Sequence, residues 1–207
     1  MFSVFKGKFV DFGIPMLNFN SYTESKINNT KLKIIYAGSF YKKIRNPKYM
    51  LEVLNSVAEL IDCEIHIYGP TKETISQYNQ NKFKRIISHG KVPKVEIETA
   101  LLQSDILVNI GNKVSNQLPS KVLEYISLQI PIINFYSIQD DTSNYYLEKY
   151  PCALLVPEEW SKLDDSVELV INFIEESKRL KCDENELKLT YNNFMISSLI
   201  KKIQAYI

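Results

Sequence analysis

The sequence predicts an α/β protein, a Rossmann-like, doubly wound parallel sheet of about six strands with helices on both faces. Short apolar strands alternate with helical stretches, the pattern of βαβ units. The strands are continuous apolar runs, as a sheet covered on both faces requires, and not the alternating pattern of a half-solvated one. Gly38, Gly69, Gly90 and Gly111 each follow a predicted strand, and they are four of only 6 glycines in the chain.

In chain order, residues 1–30 are expected to form a connector or tail. An apolar piece, Phe9–Leu17, is followed by the polar run NFNSYTESKINNTK. The first strand is Lys33–Ala37, followed by Gly38 and the basic loop SFYKKIR. Asn46-Pro47 opens a helix as N-cap and N1. Met50, Val53, Leu54, Val57, Ala58 and Ile61 recur at i,i+3,i+4 spacing and give that helix one buried face. Cys63–Tyr68 is the second strand, Glu73–Asn81 a polar helix and Arg85–His89 the third strand. Pro93–Gln103 is a helix with Val95, Ile97, Ala100, Leu101 and Leu102 as its apolar set, and Ile106–Ile110 is the fourth strand. Asp141–Lys149 reads as a short helix, Ala153–Val156 as the sixth strand and Leu163–Leu180 as a long amphipathic helix. Asp183–Ile207 is a last helical stretch, weakly patterned in its middle.

The most informative stretch is Asn116–Asn134, NQLPSKVLEYISLQIPIIN, a loop, a helix and a buried strand over Ile130–Asn134. Pro119 suits the first helical position, where its missing N–H costs nothing. Leu118 then stands at the N-cap without a side-chain acceptor, so the first-turn N–H groups need another partner, and a bound anion is one candidate. A lysine in that turn, Lys121, is unfavourable against the helix dipole by a few tenths to about 1 kcal/mol. A phosphate between the two reverses the sign. Glu124 shares a face with Lys121 at i,i+3 spacing, while Val122 and Ile126 face inward. An exposed Lys–Glu pair on an amphipathic helix is the simpler alternative.

Composition narrows the functions. A formal charge of +1 gives no bulk attraction to nucleic acid or anionic lipid. Cys63, Cys152 and Cys182 are widely spaced and read as reduced, cytosolic thiols. Two histidines, His66 and His89, are too few for a His-rich metal site and read as packed or hydrogen-bonded residues. No apolar run approaches the roughly 18 residues of a membrane span, and the N-terminus lacks a signal-peptide core. Sheets of this kind bind ligands beyond the carboxyl ends of their strands. The strand-end glycines fit close backbone approach to a ligand, or simply turn the chain. The first βα loop is neither a GxGxxG fingerprint nor a P-loop. It places Arg45 where a guanidinium can fork onto a phosphate, with Lys42 and Lys43 as solvated neighbours. Ser39 and Ser120 have no base in sequence reach, so a serine nucleophile is unsupported.

With these residues in place, the chain from about Lys31 onward resembles the C-terminal, donor-binding domain of a GT-B glycosyltransferase, near family 4 (group 1) of the retaining enzymes. The Phe9–Leu17 piece is similar to the segment where such enzymes cross between domains. The family's arginine and lysine after the first strand correspond to Ser39 and Arg45 in AGSFYKKIRNP. Its G-x-V turn near the nucleotide base corresponds to Gly90, Lys91 and Val92. The last glutamate of its E-x7-E motif, a ribose ligand, corresponds to Glu124. The first, a donor-sugar ligand, falls at Asn116, beside Gln117. In QLPSK, Lys121 stands where capsule and O-antigen relatives take a diphosphate contact.

The resemblance implies a phosphate site at Gly38, Ser39, Arg45, Ser120 and Lys121, and a ribose contact at Glu124. Gly90, Lys91 and Val92 lie by the base, and Asn116 and Gln117 by the sugar. It implies a UDP- or GDP-sugar as substrate, no metal or other cofactor, and a sugar acceptor that is a polysaccharide or lipid-linked. Catalytic groups are expected on a separate N-terminal GT-B domain, which is also the expected route to peripheral membrane association at the inner face. The implied location is cytoplasmic, with no nucleic-acid partner. By itself the chain should bind nucleotide and turn over little. Two alternatives keep the same fold: a non-catalytic nucleotide-binding or interaction module, and half of a nucleotide-sugar epimerase.

Overall fold

The computed structural model describes residues 17, 19, 31–77, 83, 85–115, 117, 120–180 and 182–205. Six parallel strands form one sheet: β1 (Leu32–Ala37), β2 (Cys63–Tyr68), β3 (Ile86–Gly90), β4 (Ile106–Ile110), β5 (Ile132–Tyr136) and β6 (Ala153–Pro157). Their spatial order is β3-β2-β1-β4-β5-β6. The chain winds outward in one direction from β1 and then returns to wind in the other from β4. The order therefore reverses between β1 and β4, which opens a crevice at their carboxyl ends.

The connecting helices are α1 (Lys48–Leu60), α2 (Lys72–Gln77), α3 (Lys94–Leu102), α4 (Ser120–Ser127), α5 (Thr142–Leu147) and α6 (Leu163–Ser177), with α7 (Glu184–Thr190) and α8 (Ile196–Gln204) at the end. Strand alternation divides the core in two. Ile34, Tyr36, Ile106, Val108, Ile133 and Phe135 pack with α1 and α6 on one face. Ile35, Ala37, Leu107 and Ile132 pack with α4, α5 and α7 on the other. Both faces are covered, which is why the strands are apolar throughout.

Local chemistry explains several boundaries. Asn46 Oδ1 accepts the Lys48 N–H at 3.0 Å, and Pro47 already has helical torsions, so the expected Asn-Pro opening of α1 is present. Met50, Val53, Leu54, Val57 and Ala58 are buried, as their spacing requires. Asp105 accepts the Lys33 N–H at 2.8 Å and returns its own N–H to Lys33, tying the start of β4 to β1. Asp141 caps α5 and Asp183 caps α7. The weakly patterned C-terminal stretch is three pieces, α7, a 3-10 turn at Asn192–Phe194, and α8. Among the described residues no helix is long and apolar enough to cross a membrane.

Three expectations change. The strand placed at Ile130–Asn134 begins two residues later, because Gln129 takes a positive φ of 58° and Pro131 has no N–H for the ladder. In α3 only Leu101 of the expected apolar set is buried and Val95 is exposed, since that helix rests on the sheet near its C-terminal end. Cys152 and Cys182, expected as separate thiols, are joined sulfur to sulfur where the start of β6 meets the approach to α7. Cys63 alone is a free cysteine, and buried. Of the expected connector 1–30, Leu17 and Phe19 are described, and both are buried. Leu17 donates its N–H to Phe194 O at 2.9 Å, which places Leu17 beside the 3-10 turn that precedes α8.

At Gly69 the close neighbour is main chain. This residue has φ +129°, and a β-carbon there would lie 2.1 Å from the Gly38 carbonyl oxygen, a backbone atom. Gly69→Ala is expected to cost at least about 2 kcal/mol through left-handed strain and collision with a main chain that cannot retreat. A thermal midpoint equal to the parent's would contradict this.

Candidate functional site

The β1/β4 crevice is a cavity of about 300 Å³ whose lining includes Gly38, Arg45, Asn109, Asn112, Lys121 and Glu124. Ser120, Gln117 and Ser143 complete its polar rim. Four stretches far apart in sequence meet here because all of them sit at carboxyl ends of strands.

The loop after β1 is built as a small hairpin. Arg45 N–H donates to Tyr41 O at 2.7 Å and Tyr41 N–H to Arg45 O at 3.1 Å, with Lys42 and Lys43 exposed in the turn. This geometry turns Arg45 back toward the crevice. Its Nε and Nη2 fork onto Asn112 Oδ1 at 3.2 and 2.8 Å. Tyr36 lies beneath. Its hydroxyl donates to Ser39 O at 3.1 Å, and burial pushes its pKa up to about 12 although the Arg45 charge beside it pulls the other way. Gly38 carries no β-carbon because one would stand 2.9 Å from the Tyr36 oxygen.

On the opposite wall, Lys121 Nζ meets Glu124 Oε2 at 2.8 Å, the i,i+3 pair expected from the sequence. Both side chains are about two-fifths exposed, at 36% and 42%. Such a pair is held weakly and can be exchanged for a ligand. Val122 and Ile126 are fully buried, so α4 is fixed by its inner face while its outer face stays available. Tyr125, also on that helix, reaches Ala37 at the end of β1. It accepts that residue's N–H at 3.2 Å and donates to its carbonyl at 3.3 Å. Chemically, a guanidinium and an ammonium suit an anion, and the adjacent carboxylate suits hydroxyl groups.

The expected site residues divide into groups. Gly38, Arg45, Ser120, Lys121, Glu124 and Gln117 all line the crevice. Ser39 contributes its carbonyl to Tyr36 and is not in the lining. Gly90 and Lys91 line a separate cavity with Pro70, Thr71 and Glu73, while Val92 packs against the core. Glu124 also borders a cavity between α3 and α4. Asn116, Leu118 and Pro119 lie outside the described residues. The strand-end glycines have internal reasons. Gly69 and Gly90 take positive φ, while Gly38 and Gly111 make room for Tyr36 and Asp141. His66 and His89 are hydrogen-bonded to each other at 2.9 Å, away from this cavity.

Asn109, Asn112 and Ser143 were not singled out from the sequence, whereas Asp140-Asp141 reads there as an N-cap, the role Asp141 has at α5. The signal for Asn109 was present, a polar residue inside the apolar strand ILVNI. Asp141 is 3% exposed. Its Oδ1 accepts the Ser143 N–H at 2.8 Å, while Oδ2 is pressed onto Gly111, where a β-carbon would stand 1.5 Å away. That oxygen has no hydrogen bond meeting normal geometry among the described residues. Burial pushes the Asp141 pKa up, and the Ser143 donors, the Arg45 charge and the Asn112 N–H offset this only in part. A raised acid pKa means that the folded chain holds a proton the unfolded chain has already released. Stability therefore falls as pH rises from the ordinary value of 3.8 through the raised one. Asp141→Asn, which keeps the cap, is expected to raise the thermal midpoint at neutral pH and to lose that advantage below the ordinary carboxyl range. A midpoint difference independent of pH would contradict this.

Comparison with known proteins agrees with the geometry. The family model described as "Glycosyl transferases group 1" matches residues 31–169, more than half of the chain. No curated protein matches it. Among solved structures, it is similar to the apo form of the lipopolysaccharide outer core galactosyltransferase WaaB, with TM-score 0.64 and 16% identity, over 94% of this chain and 54% of that one. It is also similar to Anabaena Alr3699/HepE in complex with UDP and glucose, with TM-score 0.62 and 10% identity, over 85% and 48%. AviGT4, a glycosyltransferase of avilamycin A biosynthesis, aligns at TM-score 0.60 and 9% identity, over 93% and 56%. The chain spans about half the length of these structures, so it has the fold of one GT-B half. By family, the chain is a member of the group 1 glycosyl transferases.

Proposed function

We propose that this chain is the donor half of a GT-B glycosyltransferase, binding a nucleoside diphosphate sugar whose glycosyl group the complete enzyme transfers to a polysaccharide or lipid-linked acceptor of the capsule or O-antigen type. The observation that carries this is the convergence of Arg45, Lys121 and Glu124 on one crevice at the β1/β4 reversal.

In this reading the diphosphate lies between Arg45 and Lys121. Each cation already has a protein partner, Asn112 and Glu124 respectively. Lys121 exchanges its carboxylate for phosphate oxygens. Glu124, released, accepts from ribose hydroxyls. Arg45 keeps Asn112 as a guide and turns its remaining donors to the phosphate, a geometry a guanidinium supplies and an ammonium does not. Gly90 and Lys91, in the neighbouring cavity, stand toward the base. Leaving-group charge is met by fixed cations and first-turn N–H groups of α4, which makes the step independent of metal. Groups acting on the acceptor come from a second domain, also the contact point with the membrane on the cytoplasmic side.

The mutual satisfaction of Lys121 with Glu124 and of Arg45 with Asn112 also suits a second reading, a module that keeps the fold without a ligand. Calorimetric titration with UDP and GDP, with and without magnesium, separates the two. Saturable binding of one nucleotide, unchanged by the metal, is expected of a donor domain, and no binding at millimolar nucleotide of a module. Glu124→Ala and Lys121→Ala should each weaken that binding by about 1.5–3 kcal/mol, roughly ten- to a hundredfold, with the fold intact. Affinity equal to the parent's in both variants would remove these residues from the site.

A further inference from the structure

Three buried asparagines form a hydrogen-bonded ladder that ends in the crevice. Asn109 on β4 and Asn134 on β5 are register partners across the parallel pair. Asn109 Nδ2 donates to Asn134 Oδ1 at 2.6 Å, and Asn134 Nδ2 donates to Asn144 Oδ1, on α5, at 2.8 Å. The three are 7%, 0% and 6% exposed. Neighbouring positions on the same face, Leu107 and Ile132, are apolar and buried. An apolar side chain at these three places would pack the same layer without needing partners, so the amides point to a role beyond filling space.

The ladder has a direction. The amide nitrogens of Asn109 and Asn134 each donate to the next oxygen, which orients the Asn109 amide and leaves its Oδ1 without a donor among the described residues. Asn109 is also the member of the ladder that lines the crevice, beside Ser143. What reaches the ligand is therefore a rigid, neutral acceptor. Phosphate oxygens are acceptors too and gain nothing from it, whereas a hydroxyl donates to it. Glu124, which also borders the α3–α4 cavity, marks one end of the site. Asn109, near the end of β4, and Ser143, after β5, line the same cavity.

We propose that Asn109 is a specificity residue that accepts a hydrogen bond from a hydroxyl of the donor's glycosyl group, with Asn134 and Asn144 as positioning residues that hold its amide in one orientation. This rests on the donor-domain reading above.

The test is titration of the parent chain, Asn109→Ala and Asn144→Ala with UDP, UDP-glucose, GDP and GDP-mannose, with thermal midpoints measured alongside. For the nucleotide that binds, Asn109→Ala should weaken the sugar nucleotide by about three- to tenfold and leave the nucleoside diphosphate within about twofold. Asn144→Ala, which lies outside the cavity lining, should give the same selective loss at smaller size, and it carries the comparison if Asn109→Ala does not fold. Equal loss for both ligands would reduce the ladder to a structural role, and no loss for either would remove Asn109 from the site; each overturns the inference alone. A parent chain that binds no nucleoside diphosphate overturns the donor-domain reading and this inference together.

Discussion

The hydroxyl of Tyr125, bonded to both backbone groups of Ala37, fixes the geometry on which the crevice depends. Ala37 is the last residue of β1, and beyond it the chain leaves the sheet into the loop that carries Arg45. Tyr125 belongs to α4, whose outer face carries Lys121 and Glu124. One buried side chain thus sets the distance between the two walls. Burial raises the phenol pKa strongly, so the group stays neutral and acts as donor and acceptor at once, which an ionised oxygen could not do. Among the described residues Tyr125 is the α4 side chain that hydrogen-bonds to β1, while Val122 and Ile126 are buried in the core below.

The loop side is arranged differently. Among the described residues Arg45 has no carboxylate partner. It is steadied by the neutral oxygen of Asn112, which leaves its charge uncompensated at close range. The nearest buried acid, Asp141, faces Gly111 and caps α5, and burial disfavours its charge. The site therefore holds two cations and one exchangeable carboxylate around a cavity whose deeper wall is made of amides. That balance favours an anionic ligand that also carries hydroxyl groups. The cost is a set of buried polar groups that must remain mutually bonded, since an orphaned one costs about 1–3 kcal/mol.

Structures with the same fold and very different sequences are matched by this chain over 54% and 48% of their own length. At 9–16% identity over the chains compared, the sheet order and layering persist while side chains diverge. In this chain Asn109 and Asn134 interrupt two otherwise apolar strands. The layout of the fold is thus held in common.

The order of strands and helices could be read from the sequence because apolar runs and 3.6-residue periodicity are local properties. The Lys121–Glu124 pair could be read for the same reason, since one helical turn separates its members. The boundary of β5 escaped because the torsion of Gln129 has no compositional mark. The Arg45–Asn112 fork joins residues 67 apart, and the asparagine ladder joins three elements. Cys152 and Cys182, 30 residues apart, meet only through the tertiary fold. By itself the sequence determined which elements form and which faces they bury, since burial of apolar surface is encoded residue by residue. Only the tertiary structure decided which polar groups share a partner, because parallel pairing sets register through space and places distant strand ends side by side.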